Sequence, residues 1–328
     1  MPTTILASRY NDLRNTVNLI LGTSNNASPT FGYGQSFSTD SVIGTRSVAE
    51  ISDADKISAQ QYEDLYIDIV RTKSHQVGAS NITIDEFVVG DFETNLSNTD
   101  KIEEAYVSNL ESIATDITTD KFSVSPTNLS IANVPLATST RTTSSSWSTR
   151  ISHIFTMTFN TELERRHFFN AGGQIRLTAS VNYTGSQAKT VDWQNILSDM
   201  GSTSFKAEET INNSNVGTGS TRGAYDLTTS YRLIYSRSGG SVYARNRYNI
   251  YAREYATGDS TSAIQFKVNF DDGRPNNLTY GIDEPVFGTF TSTVETATPN
   301  SQVTINGTAH DAVVIDSIPT GAMIRELS

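Results

Sequence analysis

The stretch FFNAGGQIRLTASVNY, residues 168–183, sets two glycines between a segment of helical spacing and one of strict alternation. Its polarity decides what kind of protein this is. A phosphate cradle runs strand, glycine loop, helix N-terminus, so that free backbone amides face the anion. Here the order is reversed. ELERRHFFNA precedes Gly172 and Gly173, and QIRLTASVNY follows them. One glycine is expected in the left-handed conformation that closes a helix, where a side chain would clash, and the other in the turn into a strand. The stretch reads as a helix end on a scaffold and not as a nucleotide loop.

Working outward, RISHIFTMTFN places Ile151, His153, Phe155, Met157 and Phe159 on one face of a strand. Thr161 and Glu164 have capping-box spacing at the start of the next helix, whose face is expected to carry Leu163, His167 and Phe168, with Phe169 off it. Downstream, TVDWQNILSDMG reads as an amphipathic helix with Asp192 as cap, Trp193, Ile196, Leu197 and Met200 inward, and Gly201 past its end. STSFKAEET follows as a strand. Together these predict a β-α-β-α-β module over residues 150–210.

The N-terminal third reads as helical. Leu6, Tyr10, Leu13, Val17 and Ile20 recur at heptad spacing over Thr4 to Gly22. That stripe fits either packing within its own domain or a seam with a second copy or a neighbouring subunit, an oligomer or attachment interface. A second helix is expected from Ile57 to His75, with Tyr62, Leu65, Tyr66 and Ile69 as its stripe and Asp55 as cap. A third is expected over Lys101 to Thr115, with Ala105, Val107, Leu110 and Ile113 apolar. Pro135 to Arg150, dense in Ser and Thr, reads as a linker or edge strand, and INNSNVGTGSTRG as a flexible loop. Beyond that loop the chain reads as β. YDLTTSYRLIYSRS and VYARNRYNIYAREYA flank Gly239-Gly240 as a hairpin, and SAIQFKVNFDD, FGTFTSTVETAT and VTINGTAHDAVVIDSIP supply further strands. The expected class is α+β: N-terminal helices over 1–134, the central module over 135–210 and an antiparallel β-sandwich-like domain over 211–328.

Composition narrows the function. Net charge is −11, which disfavours a phosphate backbone as partner, so no nucleic acid is expected. Cysteine is absent, excluding disulfides and thiol catalysis. Ser and Thr make up about a quarter of the chain, which suits extended structure. MPTTILASRYNDLRNTVNLILG lacks a basic segment followed by an unbroken apolar core, so no signal peptide is expected, and no stretch is long and apolar enough to span a membrane.

Chemistry-bearing patterns are sparse. His75, His153, His167 and His310 have no metal-ligand spacing, DDGRPNN lacks the alternation and closing Glu of a calcium loop, and neither a nucleophile elbow nor a Walker loop occurs. No catalytic residue, metal or cofactor is expected. The richest constellation is the hairpin, where Arg232, Arg237, Arg245, Arg247 and Arg253 interleave with Tyr231, Tyr235, Tyr243, Tyr248, Tyr251 and Tyr255. Arg232, Tyr235, Tyr243, Arg245, Arg247 and Tyr251 are taken as a partner-binding face. Its occupant is read as a neighbouring subunit first, with a glycan or a single strand as alternatives.

ILGTSNNASPTFGYGQSFS, RTKSHQVG, SSSWSTRISHIFTMTFN, FFNAGGQIRLTAS, DWQNILSDMG, IQFKVNFDD and GTFTSTVE resemble, in order, a family of virion structural proteins of tailed bacteriophages, frequent in contractile-tailed cyanophages and other marine phages. The resemblance covers most of the chain. It implies a non-enzymatic accessory tail-fibre or baseplate-peripheral subunit, located in the virion tail region and assembled in the host cytoplasm. Its implied partners are other virion proteins of tail, baseplate or neck, and its implied state is a trimer or sixfold array. A neck or collar fibre, or a receptor-binding module recognising host polysaccharide, are the alternatives.

Overall fold

The computed structural model describes residues 7–22, 32–35, 52, 57–77, 104–124, 129–141, 146–257, 260–273, 284–299, 302–305, 308–311 and 320–327. In chain order the elements are α1 (Ala7–Leu21), α2 (Ala59–Val77), α3 (Glu104–Thr119), β1 (Leu129–Arg141), β2 (Arg150–Thr158), α4 (Glu162–Asn170), β3 (Gln174–Asn182), α5 (Ala188–Met200), β4 (Ser202–Phe205), β5 (Thr210–Asn212), β6 (Arg232–Ser238), β7 (Arg247–Thr257), β8 (Ser260–Asp271), β9 (Thr289–Pro299), β10 (Gln302–Ile305), β11 (Thr308–Asp311) and β12 (Thr320–Leu327). The class is α+β, as the periodicities predict. The chain divides into two compact units. The first takes its described residues from 1–130, 166–172 and 298–316, the second from 131–165, 173–297 and 317–328.

The first unit is built on α1, α2 and α3. Tyr10, Leu13, Val17 and Ile20 are buried with Tyr62, Leu65 and Ile69 of α2 and with Val107, Leu110, Ala114 and Ile117 of α3. Of the two readings of the α1 stripe, the structure adopts packing within its own unit. These four side chains are therefore not a free interface, and Leu6 lies outside the described residues. Tyr10 and Tyr62 meet edge to face at 5.5 Å. On α3 the buried row is Val107, Leu110, Ala114, Ile117, a spacing of three and four. Ala105 is exposed and Ile113 half-buried, so the expected stripe holds at Val107 and Leu110 and misses at its two ends. Asp55, expected to cap α2, also lies outside the described residues. The cap that is described is a box of Ser58 and Gln61: Gln61 N–H donates to Ser58 Oγ at 3.3 Å, and Ser58 N–H to Gln61 Oε1 at 2.7 Å.

The second half of α2 is largely buried, and several of its polar side chains are hydrogen-bonded inside the unit. His75 Nε2 lies 2.7 Å from the Ala171 carbonyl. Gln76 Nε2 donates to the Ile117 carbonyl at 2.9 Å and to Tyr33 Oη at 3.0 Å, while Tyr33 donates to the Lys121 carbonyl at 2.6 Å. Burial pushes the His75 imidazole down to about 4, opposed in part by its bond to Ala171.

The opening glycines behave as predicted. Gly172 has φ +82° and its N–H donates to the Phe169 carbonyl at 3.0 Å, closing α4. A Cβ there would stand 2.1 Å from Val124 Cγ2. At the other end, Glu164 N–H donates to Thr161 Oγ1 at 3.1 Å, the first half of a capping box. The second half is displaced, since Glu164 Oε2 accepts from Asn160 N–H at 3.1 Å and not from Thr161. Phe168 and Phe169 are both buried and Leu163 is exposed, so the α4 face is rotated from the expected one.

The second unit holds two five-stranded antiparallel sheets, ordered β1-β9-β3-β4-β5 and β12-β2-β8-β7-β6. The first sheet contains Pro135 to Arg141 at its edge, so the expected linker is in part the edge strand β1. The two sheets face one another through aromatic contacts. Phe205 and Phe266 meet at 5.2 Å, Phe270 and Phe290 at 5.1 Å, and Trp193 of α5 joins Phe270 at 5.9 Å. His153 Nδ1 lies 2.9 Å from Ser292 Oγ across the layers. The β-α-β-α-β module is corrected by this topology. Its elements are present in order, but β2 joins one sheet while β3 and β4 join the other. Residues 150–210 and the strands β6 to β8 accordingly build one unit and not two. The loop after β5 is held down by paired bridges, Thr210 with Ser220 and Thr218 with Ser236. α5 has its predicted inward face, but Asp192 is inside the helix. The N-cap is Gln187, and Glu284 accepts the Lys189 N–H at 3.3 Å.

Candidate partner-binding face

The geometry that matters follows from alternation on β7 and β8. Tyr248, Ile250 and Ala252 point into the sandwich with Phe266, Val268 and Phe270. Pleating then sends Asn249, Tyr251, Arg253 and Tyr255 to the other face, beside Asn269, Lys267, Gln265 and Ala263, with which the register pairs them in that order.

On that outer face five side chains alternate ring and cation. Lys267 Nζ is 5.1 Å from the centre of the Tyr251 ring and 4.3 Å from that of Tyr231. Arg253 Cζ is 4.5 Å from the Tyr231 ring and 5.2 Å from the Tyr255 ring. Each cation thus lies between two ring quadrupoles, and Tyr231 serves both. Gln265 supports the row from below. Its Oε1 accepts from Arg253 Nε at 3.0 Å and Nη2 at 2.7 Å and from the Tyr231 hydroxyl, and its Nε2 donates to Thr156 Oγ1 at 3.3 Å.

A polar row runs alongside. Ser236 Oγ donates to Asn249 Oδ1 at 2.7 Å, Asn249 Nδ2 to Asp271 Oδ2 at 2.9 Å, and Ser152 Oγ to Asn269 Oδ1 at 2.8 Å. Arg150 forms an ion pair with Asp271. Partial burial lowers the Lys267 ammonium below its ordinary range, reinforced by Arg150 and Arg253 and opposed by Asp271. Among the described residues no carboxylate reaches ion-pair distance of Lys267 or Arg253.

Of the six residues expected to form a partner face, the structure brings only part together. Tyr251 belongs to the stack. Tyr235 is buried, with its hydroxyl donating to the Val216 carbonyl at 2.9 Å, so it is a core residue. Arg232 is exposed on β6, opposite Ala252. Tyr243 and Arg245 sit on the connection 239–246, Tyr243 half-buried and Arg245 exposed, and Arg247 is exposed at the start of β7. That connection corrects the tight hairpin turn: β6 and β7 pair as expected, but Gly239 and Gly240 open an eight-residue link containing a 3-10 turn at Ser241–Tyr243. Asp192, the expected helix cap, instead accepts the Gly240 N–H at 2.9 Å, and burial raises its carboxyl. A Cβ on Gly239 would approach the Tyr243 carbonyl oxygen to 2.6 Å, a backbone atom that cannot swing aside, which explains the glycine there. Lys267 and Gln265 were missed. Their signal is the alternation of SAIQFKVNFDD, which places them on one face but not beside Tyr231.

Fold and face define an α+β protein that presents a cationic, aromatic sheet surface. No protein-family model, curated protein or solved structure matches the chain significantly.

Proposed function

We propose that this chain is a non-enzymatic structural component of a tailed-phage virion, an accessory tail-fibre or baseplate-peripheral subunit that assembles with other virion proteins. The sequence resemblance motivates the reading. The observation that carries it is the outer face of the second sheet, where the side chains brace one another into a surface suited to an outward contact. Arg150, Asp271 and Asn249 are joined in one network, and Arg253, Gln265, Tyr231 and Thr156 in another. In this reading the helical unit attaches the subunit, and the β-rich unit makes its outward contact.

The test is on particles. Gradient-purified virions of a phage carrying the gene are analysed by mass spectrometry and by immunogold labelling with antibody against the full chain. Label on the tail region is expected. Absence of the protein from particles overturns the reading. Light scattering of the purified chain over a dilution series is expected to give a trimer or hexamer.

A further inference from the structure

We propose that the outer face of the β12-β2-β8-β7-β6 sheet binds an acidic polysaccharide, with sugar carboxylates on Lys267 and Arg253 and sugar rings against Tyr251 and Tyr255. The inference takes from the proposed function only that this face is a contact surface.

Charge selects an anion. The chain as a whole carries −11, yet the described side chains here include Arg150, Arg253 and Lys267 against one carboxylate, Asp271. Asp271 is already engaged by Arg150 and Asn249. Among the described residues Lys267 Nζ meets ring faces and no hydrogen-bond acceptor, and ring faces do not supply one to its N–H donors. An incoming carboxylate completes that coordination. It also meets a cation whose partial burial strengthens the attraction.

Composition selects the kind of anion. Net charge sets the chain as a whole against any polyanion, nucleic acid and polyuronate alike, so the local cations must draw one in, and single-stranded DNA is the comparison that separates the two. A protein partner needs apolar anchors at the centre of the contact. The large apolar side chains exposed among the described residues are Ile131, Leu163, Leu233 and Val242, and of these Leu233 alone pairs onto this face, opposite Tyr251. What the face offers is half-exposed phenol rings, a guanidinium and an ammonium. Those groups match the C–H faces, hydroxyls and spaced carboxylates of a uronate chain.

The test uses the full-length protein and biolayer interferometry on immobilised polygalacturonate, neutral dextran, poly-glutamate and single-stranded DNA, with chelator present. The expected result is binding to polygalacturonate at least tenfold tighter than to the other three, weakening as salt rises. Lys267→Met and Arg253→Gln lose at least tenfold, Lys267→Arg retains binding, and Lys206→Gln in the connection between β4 and β5 is unchanged. Failure to bind polygalacturonate overturns the proposal, as does equal binding of dextran. Poly-glutamate bound as tightly as the uronate makes the face a protein-docking surface and equally overturns it. The ligand panel is read on the wild-type chain, so a variant that fails to fold leaves the test intact. Failure here with the protein still found in particles removes the ligand and leaves the virion reading standing.

Discussion

Lys267 Nζ sits 4.3 Å from the centre of the Tyr231 ring, although 36 residues separate them in the chain. The same ring carries Arg253 at 4.5 Å, so one phenol holds two cations apart on a sheet face. Tyr231→Leu removes both quadrupole contacts and leaves the cations to repel. The expected cost is about 1–2 kcal/mol, read as a lowered urea midpoint at unchanged slope. The loss is expected to shrink in a Tyr231→Leu/Lys267→Met double variant, because the repulsion is gone. Additive effects of the two substitutions would refute the coupling.

The buried His75 makes stability depend on pH. Its imidazole titrates at about 4 in the fold and at about 6.5 when unfolded. The unfolded chain therefore takes up the proton first. The contribution of neutral His75 is fully present above pH 6.5 and is lost as pH falls from there toward 4, by roughly 3 kcal/mol. Urea denaturation at pH 7 and pH 4.5 measures it. His75→Gln keeps a donor for the Ala171 carbonyl and does not titrate, so its pH dependence is expected to be flatter by that amount.

Lys189 and Asp272 form an ion pair at 3.0 Å with both side chains fully buried. Removing one partner takes that ion pair from the other buried charge. Lys189→Met is expected to destabilise by about 3–5 kcal/mol, and Lys189→Met/Asp272→Leu to recover most of that. Equal destabilisation of single and double variants would show that the pair's other hydrogen bonds, and not its charges, hold the site.

Gly172→Ala is expected to cost at least about 1–3 kcal/mol from its positive φ alone, with overlap against Val124 added. Val124→Ala in the same chain relieves the overlap and leaves the backbone term. A full rescue by Val124→Ala would contradict the conformational part of the argument.

Leu13→Ala tests where the α1 stripe is used. The side chain is buried in the helical core of its own unit, so the substitution is expected to lower stability by about 2–5 kcal/mol. The mass by light scattering at temperatures below unfolding is expected to be unchanged. A shift in mass without loss of stability would return the stripe to a subunit interface.

Much of the fold could be read locally. The heptad-like row of Tyr10, Leu13, Val17 and Ile20, the inward row Trp193, Ile196, Leu197, Met200 and the glycine end of α4 are properties of contiguous residues. Side-chain period and the αL demand at Gly172 are set by neighbours a few positions away. The sequence by itself determined the helices, most of the strands, the apolar rows of α1, α2 and α5 and the exclusion of a glycine phosphate loop, while the faces of α3 and α4 were set by what they pack against. It did not determine which sheet each strand joins. β2 and β3 flank one helix yet belong to different sheets, because pairing energy comes from partners such as Phe270 and Phe290 that lie more than a hundred residues on. The candidate face has the same origin. Alternation puts Tyr251 and Arg253 on one side of β7 and Gln265 and Lys267 on one side of β8. Only the antiparallel register, together with the burial of the opposite faces, lays Lys267 between two tyrosines.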